Sequence, residues 1–162
     1  MNNTIKTHPL TATEFAPYGD VLEMSGNPTV TINQGMCDRY NDLANVDFAN
    51  GRAGISIFKS KICNLPYQLD MVERHPYGSQ TFIPMSQHPF MVVVADDQNG
   101  TPINPRAFIA AIGQAINFHR GTWHGVLTPL HEPGLFAVVD RVGAGANLQE
   151  YYFKLPYLIE AI

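Results

Sequence analysis

Cysteine is almost absent from this chain of 162 residues: Cys37 and Cys63 are the only two, and no C-x-x-C spacing joins them. A disulfide framework and a thiolate zinc site are thereby excluded as organising features. With no basic neighbour in sequence to activate either thiol, both read as inert. Charge is sparse as well, at 15% of residues, and 10 Lys and Arg against 14 Asp and Glu leave a net charge of -4. No Lys/Arg cluster breaks that balance, which argues against a nucleic-acid partner and requires any Arg at a site to act locally. No apolar run approaches the ~20 residues of a membrane-spanning helix. Met1 to Leu10 also lack the basic-then-apolar plan of a signal peptide, so the expectation is a cytoplasmic protein with no membrane partner. Internal repeats, low-complexity tracts and linkers are missing too, so residues 1–162 read as one domain.

The chain is rich instead in apolar residues, 45% of the total, cut into short runs by 13 Gly and 12 Pro. Helical periodicity is poor except at one point: Thr11 and Glu14 fit a capping box and Pro17 ends the turn, which predicts a one-turn N-terminal helix. Strand signals are frequent: Ile55 to Phe58, Tyr67 to His75, Gln80 to Met85, Phe90 to Ala95, Arg106 to Ala110, Ala115 to His119 and Leu135 to Arg141, while Tyr151 to Leu155 reads as a last strand or a packing tail. Phe90-Met91-Val92-Val93-Val94 is apolar at both parities and predicts a central strand buried on both faces. Many short strands between turns predict an all-β sandwich or barrel.

Chemical content concentrates in Glu73-Arg74-His75-Pro76-Tyr77-Gly78-Ser79-Gln80, answered downstream by Gly113…His119-Arg120-Gly121…His124. A strand sends i and i+2 to one face, so Tyr67, Leu69, Met71, Glu73 and His75 are expected on the interior face, with Gln68, Asp70, Val72 and Arg74 opposite. Pro76-Tyr77-Gly78 makes a turn, and Gln80, Phe82 and Pro84 return inward beside Glu73 and His75. An apolar stripe ending in polar ligand types has the character of a barrel mouth.

These residues resemble the cupins, small double-stranded β-helix (jelly-roll) barrels. The second cupin motif, G-x5-P-x-G-x2-H-x3-N, is matched by Gly113, Gly121 and His124, with His119 in place of Pro and Thr128 in place of Asn. In the first motif, G-x5-H-x-H-x3-4-E-x6-G, Glu73 and His75 take the H-x-H places and Gln80 the Glu place, while Tyr67 and Gln87 replace the Gly. Nearly the whole chain resembles one family more closely. The strings are Phe15-x-x-Tyr18-Gly19-Asp20-Val21, Ile32-Asn33-x-Gly35, Arg39-Tyr40-x-Asp42-Leu43, Glu73-Arg74-His75-Pro76-x-Gly78-x-Gln80-x-Phe82-Ile83-Pro84-Met85, His119-Arg120-x-x-Trp123-His124 and Asp140-Arg141, and the family is ureidoglycolate lyase. The resemblance implies a cytoplasmic cupin homodimer that cleaves (S)-ureidoglycolate to glyoxylate and urea in purine (allantoin) catabolism.

Ureidoglycolate is a carbinolamide, so elimination needs the hydroxyl proton removed and the leaving nitrogen protonated. Its carboxylate needs a cation, preferably a bidentate Arg. Glu73, His75, Gln80 and His124 are the candidate ligands of a divalent metal such as Ni, Zn or Mn; the alternative is a metal-free polar cluster with Glu73 or His75 as proton acceptor. No organic cofactor is expected. His119 is a candidate proton donor or a structural His beside Gly121. Arg39 and Arg141 are candidates for the substrate carboxylate or for structural pairing, and Tyr40 and Asp42 for a wall over the mouth or a simple edge strand. Arg74, facing away, belongs to an interface or backs the site. Phe82, Phe118 and Trp123 are expected in the core, and His8, His88 and His131 in solvent. Two other functions compete: a metal-dependent cupin isomerase or dioxygenase, and a non-catalytic barrel binding a ureide or 2-hydroxy acid as sensor or accessory protein.

Overall fold

The structure is a computed structural model and describes residues 3–162. Fourteen strands and one short α-helix run in the order β1 (Thr4–Pro9), α1 (Ala12–Phe15), β2 (Gly19–Leu22), β3 (Val30–Ile32), β4 (Cys37–Arg39), β5 (Arg52–Lys59), β6 (Tyr67–Arg74), β7 (Gln80–Pro84), β8 (Phe90–Gln98), β9 (Thr101–Ala110), β10 (Ala115–Phe118), β11 (Trp123–His124), β12 (Thr128–Pro129), β13 (Leu135–Val142) and β14 (Gln149–Glu160). β11, β6, β14, β1, β9 and β8 close into a ring through the β8–β11 pairing, with β12 added on β8. A second sheet, in the order β2-β10-β7-β13-β5, packs against it, and β3 and β4 form a separate hairpin. This is the all-β, cupin-type barrel expected. Among the described residues no helix is long and apolar enough to cross a membrane.

The expected N-terminal helix forms where its cap requires it. Thr11 Oγ1 accepts from the Glu14 amide at 3.3 Å, and the single turn delivers Phe15, fully buried, against Phe108 and Phe118. Gly19 opens β2 directly over β10, where a Cβ would collide with the Asn117 carbonyl.

Two apolar clusters fill the interior. Between the sheets lie Phe82, Phe90, Val92, Val94, Phe108, Ile116, Phe118, Phe136 and Val138; beyond β8 lie Leu69, Val72, Met91, Val93, Trp123 and Ile159. β8 feeds both, even-numbered residues to one and odd-numbered to the other, so it is buried on both faces as its composition predicts. β6 departs from the expected alternation. Leu69 and Val72 both enter the second cluster and Val72 is fully buried, while Met71 is only half-buried. The second cluster covers part of the face opposite the expected interior one, and β14, paired to β6 with a register shift between Tyr152 and Tyr157, helps to close it.

Several elements carry weak apolar patterning and were outside the sequence expectation: β1, which pairs in parallel with both β14 and β9, β2, and the β3–β4 hairpin. β9 starts at Thr101 instead of Arg106, because Asn99 and Gly100, both at positive φ, make a two-residue turn that pairs Gln98 with Thr101.

Candidate active site

Glu73 lies near the end of β6, His75 comes directly after the strand, and His124 on β11 sits in register with Glu73. Each of the three offers a ligand atom, and these atoms all lie within 4.8 Å of one another. The His75 and His124 rings are 5.3 Å apart, and His124 stacks on Phe118 at 4.2 Å with the rings 7° from parallel. Phe118 is in turn the register partner of Gln80, so the facing sheet brings Gln80 to the same place. The intervening turn is held by the Tyr77 amide donating to Asn147 Oδ1 at 2.7 Å and the Ser79 amide donating to the Asp47 carbonyl at 2.8 Å. Gly78 is required there because a Cβ would lie 2.7 Å from that of Arg141.

Hydrogen bonding fixes one donor position on each ring. His75 Nδ1 lies 2.7 Å from the Asn147 carbonyl, and His124 Nδ1 lies 2.9 Å from the Gly125 carbonyl. A carbonyl only accepts, so each Nδ1 carries a proton, and burial keeps the other ring nitrogen of His124 as a free lone pair. Both Nε2 atoms are buried without a partner, as is Gln80 Oε1. Gln80 Nε2 donates to Asp140 Oδ2 at 3.5 Å, which turns the amide oxygen inward. His75 Nε2 and Glu73 Oε1 are 3.8 Å apart. Burial raises the Glu73 pKa; His75 opposes this and the cross-strand Glu150 adds to it. Burial drives the His124 pKa down to about 3, against the Gly125 carbonyl and with some help from His75. Glu73 and Gln80 line an open cavity of about 380 Å³ with Phe58, Phe82, Val126 and Leu127.

Two imidazole rings and a carboxylate thus converge, and Gln80, lining the same cavity as Glu73, leaves its amide oxygen buried and unpaired as well. Buried polar atoms rarely stay unpaired. The donor set and the two Nδ1–H···O=C bonds suit a borderline divalent cation.

Other expected residues lie elsewhere. His119 reaches Asp20, Nε2 to Oδ1 at 3.1 Å, and lines a different cavity with Arg120, Asp96 and Trp123; leaving β10 at its end, it turns away from the cluster. Arg141 gives its Nε to the Ala49 carbonyl and one terminal nitrogen to the carbonyls of Asn50 and Ala144, so it ties loops together. Arg39 is exposed on the β3–β4 hairpin, and Tyr40 just beyond it bonds the Gly26 carbonyl at 3.4 Å; neither meets the cluster, because that hairpin joins neither sheet. Asp42 is exposed beside them. Arg74 does face away: it stacks on Trp123 at 4.3 Å and pairs with Asp97 at 2.9 Å. Phe82, Phe118 and Trp123 are core residues, and His8, His88 and His131 lie outside the core. Asp140 was missed as a site residue. Its alternation with Val138 along β13, the inward parity, was the available signal.

The ureidoglycolate lyase family profile matches residues 2–160. A ureidoglycolate lyase of Rhodobacter capsulatus is 54% identical over 153 residues, covering 94% of this chain and 95% of that one. One of Mesorhizobium japonicum is 50% identical over 157 residues, covering 96% of each. Ureidoglycolate lyase 2 of Rhizobium meliloti is 47% identical over 154 residues, with 94% of each covered. With the barrel in place and the matches running nearly end to end, this chain belongs to the ureidoglycolate lyase family.

Proposed function

We propose that this chain cleaves (S)-ureidoglycolate to glyoxylate and urea, with Glu73, His75, Gln80 and His124 as its working site. The observation that carries the site is the meeting of Glu73, His75 and His124, with His75 Nε2, His124 Nε2 and Gln80 Oε1 all buried and unpaired. Family membership supports the reaction, as do the relatives' names.

Those four groups would hold a divalent cation such as Ni, Zn or Mn, which when bound supplies Lewis acidity to a hydroxyl and charge to a carboxylate. The protein's own part is proton management. The elimination moves one proton from the carbinol oxygen to the ureido nitrogen as the C–N bond breaks and the C=O bond forms, so a single carrier suffices. Glu73 is that carrier: it lines the cavity, and among the described residues no hydrogen-bond donor holds it, His75 Nε2 standing off at 3.8 Å. His75 and His124 keep their Nδ1 protons on backbone carbonyls, and His124, buried, takes no charge. Gln80, oriented by Asp140, offers only its oxygen inward. His119, Arg141, Arg39 and Tyr40 have no direct part within one chain. A cytoplasmic homodimer working in allantoin breakdown is the setting that fits this reading.

The test measures urea and glyoxylate from racemic ureidoglycolate, before and after exhaustive chelation. Urea release that falls on chelation and returns with one added cation supports both the reaction and the metal. Ammonia in place of urea overturns the lyase reading, and full activity without metal by elemental analysis removes the cation. Tight binding of the ureide without turnover would favour a sensor.

A further inference from the structure

The cavity that holds Glu73 and Gln80 has polar groups at one other place only. Apart from Lys59 and Ser60, at the end of β5 and just beyond it, the rest of its lining is apolar. Ser60 is already engaged. Its amide donates to the Gly134 carbonyl at 2.9 Å, and its Oγ lies 3.2 Å from the Leu127 carbonyl and 3.3 Å from that of Lys61.

Lys59 is not. β5 is the last strand of its sheet and pairs only with β13. In an antiparallel pair, residues that exchange both main-chain bonds alternate with residues whose N–H and C=O point away from the partner. The bond from Ser60 to Gly134 puts Ser60 in the first class, so its neighbour Lys59 falls in the second. The partner strand agrees: Leu135, opposite Lys59, turns its carbonyl to the Met85 amide on the β7 side. The N–H and C=O of Lys59 therefore face the free edge, and no hydrogen bond among the described residues takes up either. Its side chain follows the outward parity of Ile55 and Ile57, 79% and 60% exposed, opposite to Phe58, which packs on the core. What Lys59 presents to the cavity is main chain.

A ureide ends in a planar amide whose carbonyl accepts and whose N–H donates side by side. An amide drawn into an apolar cavity without partners is costly. Gln80 shows only an oxygen there, and Glu73 has the proton to carry. An open strand edge supplies what is missing, a donor and an acceptor on one residue pointing the same way. We propose that the free edge of β5 at Lys59 is the ureide subsite, its N–H and C=O pairing with the terminal amide as a neighbouring strand would. The subsite rests on the lyase reading of this cavity and adds how a ureide is told from a 2-hydroxy acid that lacks one. A site built to hydrogen-bond its ligand rejects the analogue without the matching groups.

The experiment compares two variants of the full chain by calorimetry and steady-state kinetics. Lys59→Pro removes the edge N–H and spares the β5–β13 ladder, because that N–H faces away from β13. Lys59→Ala keeps the main chain and sets the baseline for loss of the ammonium group. Two ligands are used: N-carbamoylglycine, which has the ureide and carboxylate but no hydroxyl to eliminate through, and glycolate, which has the hydroxyl and carboxylate but no ureide. Lys59→Pro is expected to bind N-carbamoylglycine roughly tenfold more weakly than Lys59→Ala, with KM for ureidoglycolate raised in the same ratio and glycolate bound alike by both. Equal affinities of the two variants for N-carbamoylglycine overturn the subsite, as does a Lys59→Pro loss that glycolate shares. Should Lys59→Pro fail to fold, magnetic resonance of the parent chain labelled at lysine nitrogen decides: the Lys59 amide signal moves with N-carbamoylglycine and not with glycolate, and a signal that stays still overturns the subsite. A tenfold difference between the variants in a chain that releases no urea from ureidoglycolate supports the subsite and refutes the lyase reading instead.

Discussion

Asp140 is the residue whose contribution is easiest to separate from the candidate ligands beside it. It accepts from Gln80 Nε2 and thereby decides which end of the amide is left unpaired on the cavity that Glu73 also lines. Asp140→Ala frees that amide to rotate, and groups that orient metal ligands in this way typically carry about 10–100-fold in affinity. Titration calorimetry with Ni, Zn or Mn is expected to show a loss of that size, with the circular dichroism spectrum unchanged. His124→Ala goes further. It removes a lone pair fixed by the Gly125 carbonyl and stacked on Phe118, and kcat/KM is expected to fall at least about a hundredfold. Steady-state urea release measures it, and a variant within a few fold of the parent would remove His124 from the working site. At this scale the sequence was informative but uneven. Glu73, His75, Gln80 and His124 were legible because strand parity and motif spacing are local properties. Arg39, Arg141 and His119 lie apart from them, because a guanidinium or imidazole shows nothing in sequence of the carbonyl or carboxylate that captures it, such as Ala49, Asn50 and Ala144 around Arg141.

At the scale of elements, short pieces are kept in place by single anchors. The one-turn helix α1 is too brief to be stable alone, and Phe15 holds it against Phe108 and Phe118. Phe15→Ala is expected to cost about 3–5 kcal/mol in urea unfolding. Segment 45–50 hangs on Asp20, which accepts from the Asn45 amide, from Asn117 and from His119. Burial pushes its pKa up, but those bonds outweigh burial and hold it below the usual carboxylate value. The lowered folded pKa means that its contribution is complete above the unfolded pKa and is lost as pH falls through the folded one. Acid unfolding of the parent below about pH 4 is therefore expected to be steeper than that of Asp20→Asn, which should be less stable near neutrality by about 1–2 kcal/mol. Parallel slopes would show that Asp20 does not couple the segment to pH. The strands of the core were legible from alternation or continuous apolarity. β1, β3 and β4 were not: β1 is held by two parallel partners distant in sequence, and β3–β4 has no buried face to imprint a pattern.

For the whole molecule, the cluster is assembled from two sheets: Glu73 and His124 stand on strands of the closed ring, with His75 directly after β6, and Gln80 and Asp140 belong to the sheet opposite. A cation held by all four ligands would stabilise the folded chain by mass action, about 2.7 kcal/mol at a hundredfold excess over its Kd. Tm is then expected to rise by roughly 5–10 °C with saturating Ni, Zn or Mn, and Gln80→Leu should shrink that rise; calorimetry decides. That the chain forms a barrel was readable from its many short strands, whereas the union of β6 with β7 and β13 across the gap depends on contacts that no local pattern encodes. The flat stack of His124 on Phe118 carries a consequence of its own. One ring belongs to each sheet, so the pair acts as a feeler gauge for their separation, and any warming or pressure that parts the sheets should silence the chemistry while the strands themselves still register as intact.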